Sequence, residues 1–223
     1  MSPLDHELNE THFRVAIFGS ARTTQNDPAY TLAHTLAGMI GKAGMDLVTG
    51  GGPGLMDAAS RGYKQAKQND RHHSIGLNIR LPREQSDAAH LDIKAEFDHF
   101  SDRLDHFIVL SNAFVVCPGG IGTLLELFYT WQLAQVRHIF SKPIILLGEY
   151  WAGLLNWVQG SILEAHLIDS GDLDLVYLAS SCEEAFEIIQ QSYEAYTRGD
   201  VAFCRKYNHY KLNISSSIRG HKT

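Results

Sequence analysis

Apolar residues along this chain follow two rhythms. In the first they are consecutive. Phe13-Arg-Val-Ala-Ile-Phe18, Met45–Val48, Ser74–Ile79, Phe114–Cys117 and Pro143–Leu147 are short runs that stop at glycine, proline or polar residues. Runs apolar on successive positions are buried on both faces, as in a parallel sheet covered on each side. In the second rhythm apolar residues return every three or four positions. Tyr30, Leu32, Ala33, Leu36, Ala37 and Ile40 predict a helix from Pro28 to Lys42. Pro28 suits its first turn, where a missing N–H costs nothing, and Gly44 suits its end. Further helices are predicted over Leu55–Ala66, Asp98–Leu110, about Thr123 to Val136, Tyr150–His166 and Cys182–Tyr196. Leu173–Leu178 is predicted as a last short strand, and Arg80–His90, with Pro82 and mixed charges, as irregular.

Strands and helices therefore alternate, which predicts an α/β fold: a Rossmann-like, doubly wound parallel sheet with helices on both faces. One domain is expected over residues 13–197, preceded by a polar segment, 1–12, and followed by a polar, loosely held tail, 198–223. Sheets of this kind bind ligands outside the carboxyl ends of their strands, at a topological switch point. Three predicted strands end there in glycine-rich loops: Gly19-Ser20, Gly50-Gly51-Gly52-Pro53-Gly54, and Gly119-Gly120-Ile121-Gly122-Thr123.

Composition narrows the choice of partner. With 223 residues, 44% of them hydrophobic, the chain can bury a substantial core, and its formal net charge is -6. No basic stripe marks a nucleic-acid binder, and no apolar run approaches the roughly 20 residues of a membrane helix. The opening MSPLDHELNETHF is polar, unlike a signal peptide. Three cysteines without a CxxC pair fit a reducing, cytoplasmic setting. Twelve histidines raise the question of a metal, but His72 and His73 are adjacent and point apart, His99 and His106 flank only Asp102, and no HExxH is present. Neither a metal nor a cofactor is expected.

The glycine loops carry the candidate chemistry. A helix N-terminus offers unpaired N–H groups and a positive dipole end, and glycine lets an anion come close. Gly119, Gly120, Gly122 and Thr123 are thus a candidate phosphate cradle, with Gly50, Gly51, Gly52 and Gly54 as a second wall. Either loop alone is equally read as a tight strand-to-helix turn, but two such loops at strand ends favour a ligand. Neither fits the P-loop, because no lysine follows, and Leu55 stands where the dinucleotide fingerprint needs its third glycine. Ser20 is either a contact to base or phosphate or an ordinary turn serine. Cys117 closes a core strand, where burial makes it inert unless the neighbouring helix N-terminus lowers its pKa.

Pro118-Gly-Gly-Ile-Gly-Thr-Leu-Leu-Glu126 resembles the PGGxGTxxE motif of the Lonely Guy (LOG) family, also known as lysine decarboxylase-like proteins. Gly50–Gly54 with Leu55-Met56 resembles that family's GGGxxGLM loop, and Arg103 stands on the preceding helix where the family has its arginine. The resemblance spans roughly Phe13 to Ala185. It implies hydrolysis of the N-glycosidic bond of a nucleoside 5'-monophosphate, of the AMP or cytokinin riboside type, to free base and ribose 5-phosphate. It implies Arg103 and Glu126 as the catalytic pair and the Gly119–Thr123 loop as the phosphate site, with Met56 on the second wall. Leu104, Leu125 and Asp57 stand where many members carry lysine, glutamate and glycine. Leu81–Gln85 resembles a longer branch, and the base stays open.

Glycosidic cleavage builds positive charge on the ribose, which a buried carboxylate at Glu126 stabilises. The plainer role for Glu126 is to complement the helix dipole, and for Arg103 a surface salt bridge to Asp98, Asp102 or His99. Two other functions compete: a decarboxylase using pyridoxal phosphate on a lysine, and a nucleotide sensor or carrier without catalysis. Lys42, Lys64, Lys67 and Lys142 lie away from the glycine loops. The helix Leu124–Ala134 is apolar around nearly its whole circumference, so a second copy of the chain is expected to cover the surplus, unless the closing helix does.

Overall fold

The computed structural model describes residues 3–80, 90–139 and 142–199. In chain order the elements are α1 (Pro3–Glu7), β1 (Arg14–Phe18), α2 (Pro28–Lys42), β2 (Asp46–Thr49), α3 (Leu55–Ala66), β3 (Ser74–Ile79), β4 (Ile93–Phe97), α4 (Phe100–Leu110), β5 (Ala113–Val116), α5 (Ile121–Gln135), β6 (Ile144–Leu147), α6 (Ala152–Trp157), α7 (Ser170–Leu173), β7 (Val176–Ala179) and α8 (Cys182–Thr197). The seven strands form one parallel sheet in the order β4-β3-β2-β1-β5-β6-β7. The chain steps outward from β1 to β4, then returns to lay β5 against the free side of β1. The switch point therefore lies between β1 and β5, where Phe18 pairs with Val116. This is the Rossmann-like doubly wound sheet that the alternation of elements predicts.

Two cores follow from the period-two alternation of the strands. Val15 and Ile17 of β1, Leu47 of β2 and Val115 of β5 face one side, with residues of α2, α3 and α8. Ala16 and Phe18, Val48, Phe114 and Val116 face the other, with residues of α4, α5 and α6. Asp27 caps α2 by accepting from Ala29 N, directly ahead of Pro28. On the same side α2 meets α3 backbone to backbone: a Cβ at Gly62 would sit 2.0 Å from the carbonyl oxygen of His34.

Several elements depart from expectation. β4 was not foreseen. It is a half-buried edge strand of only Ile-Lys-Ala-Glu-Phe, too short and too polar to stand out as a core run. Nor was α1, whose Leu4 and Glu7 are buried although the surrounding segment is polar. The single helix expected over Tyr150–His166 is instead a 3-10 turn, Glu149–Trp151, then α6, then a π-helical stretch, Val158–Leu163. That stretch runs into wide i→i−5 bonds from Glu164 N to Gln159 O and from Leu167 N to Ile162 O. The last strand begins at Val176, not Leu173, because Asp169 opens the short α7 with a capping box. The irregular segment expected at Arg80–His90 lies outside the described residues from 81 to 89, as does the tail from 200 onward.

Candidate active site

The carboxyl ends of β1, β2, β3 and β5 surround a cavity of about 800 Å³. Its position follows from the topology. The loops leaving β1 and β5 part in opposite directions at the switch point, and the crevice between them is left open. Backbone bonds fix the rim: Ser20 N donates to Pro118 O at 3.2 Å, and Leu55 N to Ser20 O at 2.9 Å. From the β6 side, Tyr150 donates its hydroxyl to Gly119 O at 2.8 Å, and the Trp151 indole donates to Val116 O at 2.9 Å.

Ser20, Gly50, Gly52, Met56, Arg103, Gly120, Gly122, Thr123 and Glu126 all line the cavity. Gly51, Gly54 and Gly119 do not line it but shape its loops. Gly51 and Gly54 have φ of +67° and +71°, a region costly for any residue with a Cβ. A Cβ on Gly119 would lie 2.1 Å from Thr123 Oγ1. Gly120 and Gly122 are different, for a Cβ at either meets no protein atom within 4 Å. Neither packing nor backbone strain calls for glycine there. Both open onto the cavity beside the first turn of α5, whose N-cap, Gly120, supplies no side-chain cap. The first amides of that turn thus face a space with room for an anion.

Arg103 enters from α4 and Glu126 from the second turn of α5, both buried. The guanidinium Nη2 of Arg103 donates to Glu126 Oε1 in a short ion pair. The guanidinium also lies 5.3 Å from the centre of the Phe107 ring. Arg103 Nε has no hydrogen-bond partner among the described residues. Gly50 makes this approach possible, since a Cβ there would stand 3.1 Å from Arg103 Nη2 and 2.6 Å from Met56 Sδ. The surface salt bridge considered for Arg103 is therefore not formed. Burial pushes the Glu126 carboxyl up to about 7, and the arginine holds it below where burial alone would leave it. A carboxyl poised near neutrality beside a fixed cation can stabilise developing positive charge, hold a water, or move a proton.

Sequence reasoning missed part of this wall. Arg22, Asn78, Arg80, Lys94, Glu96 and Phe100 also line the cavity. Lys94 and Glu96 come from β4, the strand that was overlooked, so their alternation along it was the available signal. Arg80 is held at the rim by Glu96 at 3.2 Å and Asp98 at 2.7 Å. The Ser20 hydroxyl accepts from Arg22 N at 3.0 Å, so this serine shapes its own turn while lining the wall. Cys117 is fully buried, and burial pushes its thiol up to about 12, which removes it as a nucleophile.

Residues 56–190, which contain Arg103 and the whole 118–126 motif, match the family model described as possible lysine decarboxylase. A probable cytokinin riboside 5'-monophosphate phosphoribohydrolase of rice, LOGL2, is 34% identical over 152 residues, covering 66% of this chain and 59% of that protein. LOG1 of Arabidopsis thaliana, a cytokinin riboside 5'-monophosphate phosphoribohydrolase, is 32% identical over 170 residues, covering 72% of this chain and 75% of that protein. This chain belongs to the LOG family. Among solved structures, the molybdenum cofactor binding protein of the phototrophic bacterium Rippkaea orientalis superposes with a TM-score of 0.58 at 25% identity, over 80% of this chain and 96% of that one. The chain spans about three fifths of the rice relative, so its likeness to that protein is one of the shared domain. No helix among the described residues of this LOG-family chain is long and apolar enough to cross a membrane.

Proposed function

We propose that this LOG-family chain hydrolyses the N-glycosidic bond of a nucleoside 5'-monophosphate, AMP or a cytokinin riboside monophosphate, to free base and ribose 5-phosphate. The observation that carries this reading is the buried Arg103–Glu126 pair beside the open glycine cradle of α5. In this reading the phosphate sits at Gly119, Gly120, Gly122 and Thr123, held by first-turn amides and the helix dipole. Ser20, Gly50, Gly51, Gly52, Gly54 and Met56 form or shape the opposite wall. The anchored phosphate brings the ribose over Glu126. As the C1'–N bond lengthens, its electron pair leaves with the base, and the Glu126 carboxylate stabilises the cationic sugar. A water then adds to C1', and its proton passes to the base or to bulk solvent. Arg103 fixes the carboxylate and offers its remaining N–H groups to phosphate or ribose oxygens. The names borne by the rice and Arabidopsis relatives support the same chemistry.

Among the described residues no buried lysine lines the cavity, as the decarboxylase reading would need. Lys94, on the cavity wall, is exposed on an edge strand, and Lys142 donates to Ile108 O at 2.7 Å, ahead of the amino end of β6. A binding protein without turnover is the second reading, favoured by the likeness to the molybdenum cofactor binding protein.

The active form in this proposal is a cytoplasmic homodimer. The closing helix α8 packs with α2 on the other side of the sheet from α5, so it does not cover α5. Ile121, Leu125 and Phe128 stay 83%, 45% and 39% exposed, a face suited to a second copy. One set of samples tests the whole reading. Incubation with a panel of nucleoside 5'-monophosphates should release free base, with the corresponding nucleosides reacting far more slowly. Light scattering at micromolar concentration should return twice the chain mass. Tight nucleotide binding with no base released would favour the carrier.

A further inference from the structure

At the opposite rim of the sheet, the amino ends of β1, β2 and β3 gather a second buried polar cluster. Asp46, the first residue of β2, is wholly buried. His12 Nδ1 lies 3.1 Å from its Oδ2, and His72 Nδ1 lies 3.1 Å from its Oδ1. The backbone N of His73 donates to Oδ1 at 3.1 Å. Arg14 Nε stands 3.3 Å from Oδ2, without hydrogen-bond geometry. That guanidinium is committed elsewhere, donating to Glu7 Oε2 at 2.9 Å and to the Glu7 carbonyl at 2.7 Å. His73 Nδ1 completes the group, 2.8 Å from Glu7 Oε1.

The charges do not balance. Two buried carboxylates, Glu7 and Asp46, share one buried arginine. Buried charges are paired or coordinate metals, so with the histidines neutral the cluster has room for one more cation. One candidate ligand atom from each of His12, Asp46 and His72 lies within 4.8 Å of the others, the two histidines meeting different oxygens of Asp46, so small side-chain turns would bring the three onto one ion. Bonds of about 2.0–2.1 Å put two ligands of a zinc tetrahedron roughly 3.3 Å apart, close to the histidine–aspartate spacings. The two imidazoles are about a quarter exposed, at 26% and 24%, so they can turn and a water can fill a fourth position. A neutral histidine needs only to move its proton to Nε2 to free Nδ1 for a metal.

We propose that His12, Asp46 and His72 form a binding site for a divalent transition metal, with zinc the best match to two imidazoles and a carboxylate. The site lies at the amino ends of the strands, and the cavity lies at their carboxyl ends. Bound zinc would clamp the segment carrying His12 to β2 and to the turn before β3, and so stabilise the fold without entering the reaction. The sequence hid this set because His12 before β1, Asp46 at the start of β2 and His72 before β3 lie far apart along the chain, and only the sheet brings them together.

The test uses the untagged full chain. Zinc chloride, followed by calorimetry, should bind at one ion per chain in a chelator-reversible manner. At a hundredfold excess over its dissociation constant it should raise the melting temperature by roughly 5–10 °C. Magnesium chloride, whose ion prefers oxygen ligands, should do neither. His12→Asn and His72→Asn keep an N–H that can reach Asp46 but remove the imidazole ligand. Each should weaken zinc binding at least about tenfold, and the pair should abolish it, while the zinc-free proteins melt near the parent. His138→Ala, an exposed control, should change nothing. Zinc binding that survives in the double Asn variant, or a magnesium response equal to that of zinc, overturns the proposal. So does a parent chain that gains stability on acidification but none from zinc, for then a proton supplies the missing charge.

Discussion

At the carboxyl rim of the sheet Arg103 and Glu126 form a buried ion pair with one side open to a cavity; at the amino rim Arg14 lies between Glu7 and Asp46 behind partly buried histidines. The two rims have the same ingredients and different neighbours. Beside Arg103 stands Gly50, and glycines recur around the cavity wall, where they leave space. Around Arg14 the neighbours are three histidines and a docked helix, which fill it. Buried charge packed among fixed partners holds a fold together only while those partners stay complete. Buried charge beside a cavity keeps spare hydrogen-bonding capacity for a ligand. If the proposed function holds, the difference separates a site of stability from a site of chemistry.

Removing the arginine at each rim should break the comparison most sharply. Arg14→Met strands two buried carboxylates and should cost about 3–5 kcal/mol of unfolding free energy, read by urea titration. Arg103→Met should cost much less, because Glu126 already binds its proton near neutrality and can take one up when its partner is lost. Equal losses at the two rims would remove the distinction.

Next in size is the effect on turnover. Glu126→Gln should lower kcat with AMP by roughly 10²–10³, the range for losing one charge-stabilising group in a transition state. Its melting temperature should stay near the parent's. Near-parental turnover would move the chemistry away from this pair.

The smallest effect is the response to pH. If Glu126 acts as a carboxylate, kcat/KM should fall about tenfold per unit below pH 7 and level off above it. The Gln variant should lack this limb, and a parental rate that instead rises on acidification would make Glu126 an acid. The stability side has the opposite sense. The folded carboxyl holds its proton up to about 7, the unfolded one only to 4.5, so this group's contribution declines as pH rises from 4.5 to 7.

The sequence by itself determined the framework. Consecutive apolar runs and helical periods predict six of the seven strands, the major helices and their alternation, because burial on both faces writes itself into local pattern. The 118–126 run and the Gly50–Gly54 loop were legible as glycine loops at strand ends, and Arg103 joined them only through the resemblance to the LOG family. Tertiary structure decided the rest. β4 carries too few apolar residues to announce itself, yet it brings Lys94 and Glu96 to the cavity wall. Gly51, Gly54 and Gly119 look like Gly52 and Gly120 on the page, and only the folded loops separate those that shape the wall from those that form it. Whether Arg103 pairs with Glu126 or with a surface acid depends on the angle at which α4 crosses α5. The meeting of His12, Asp46 and His72 depends on strand order, because residues far apart along the chain become neighbours only when β1, β2 and β3 line up side by side.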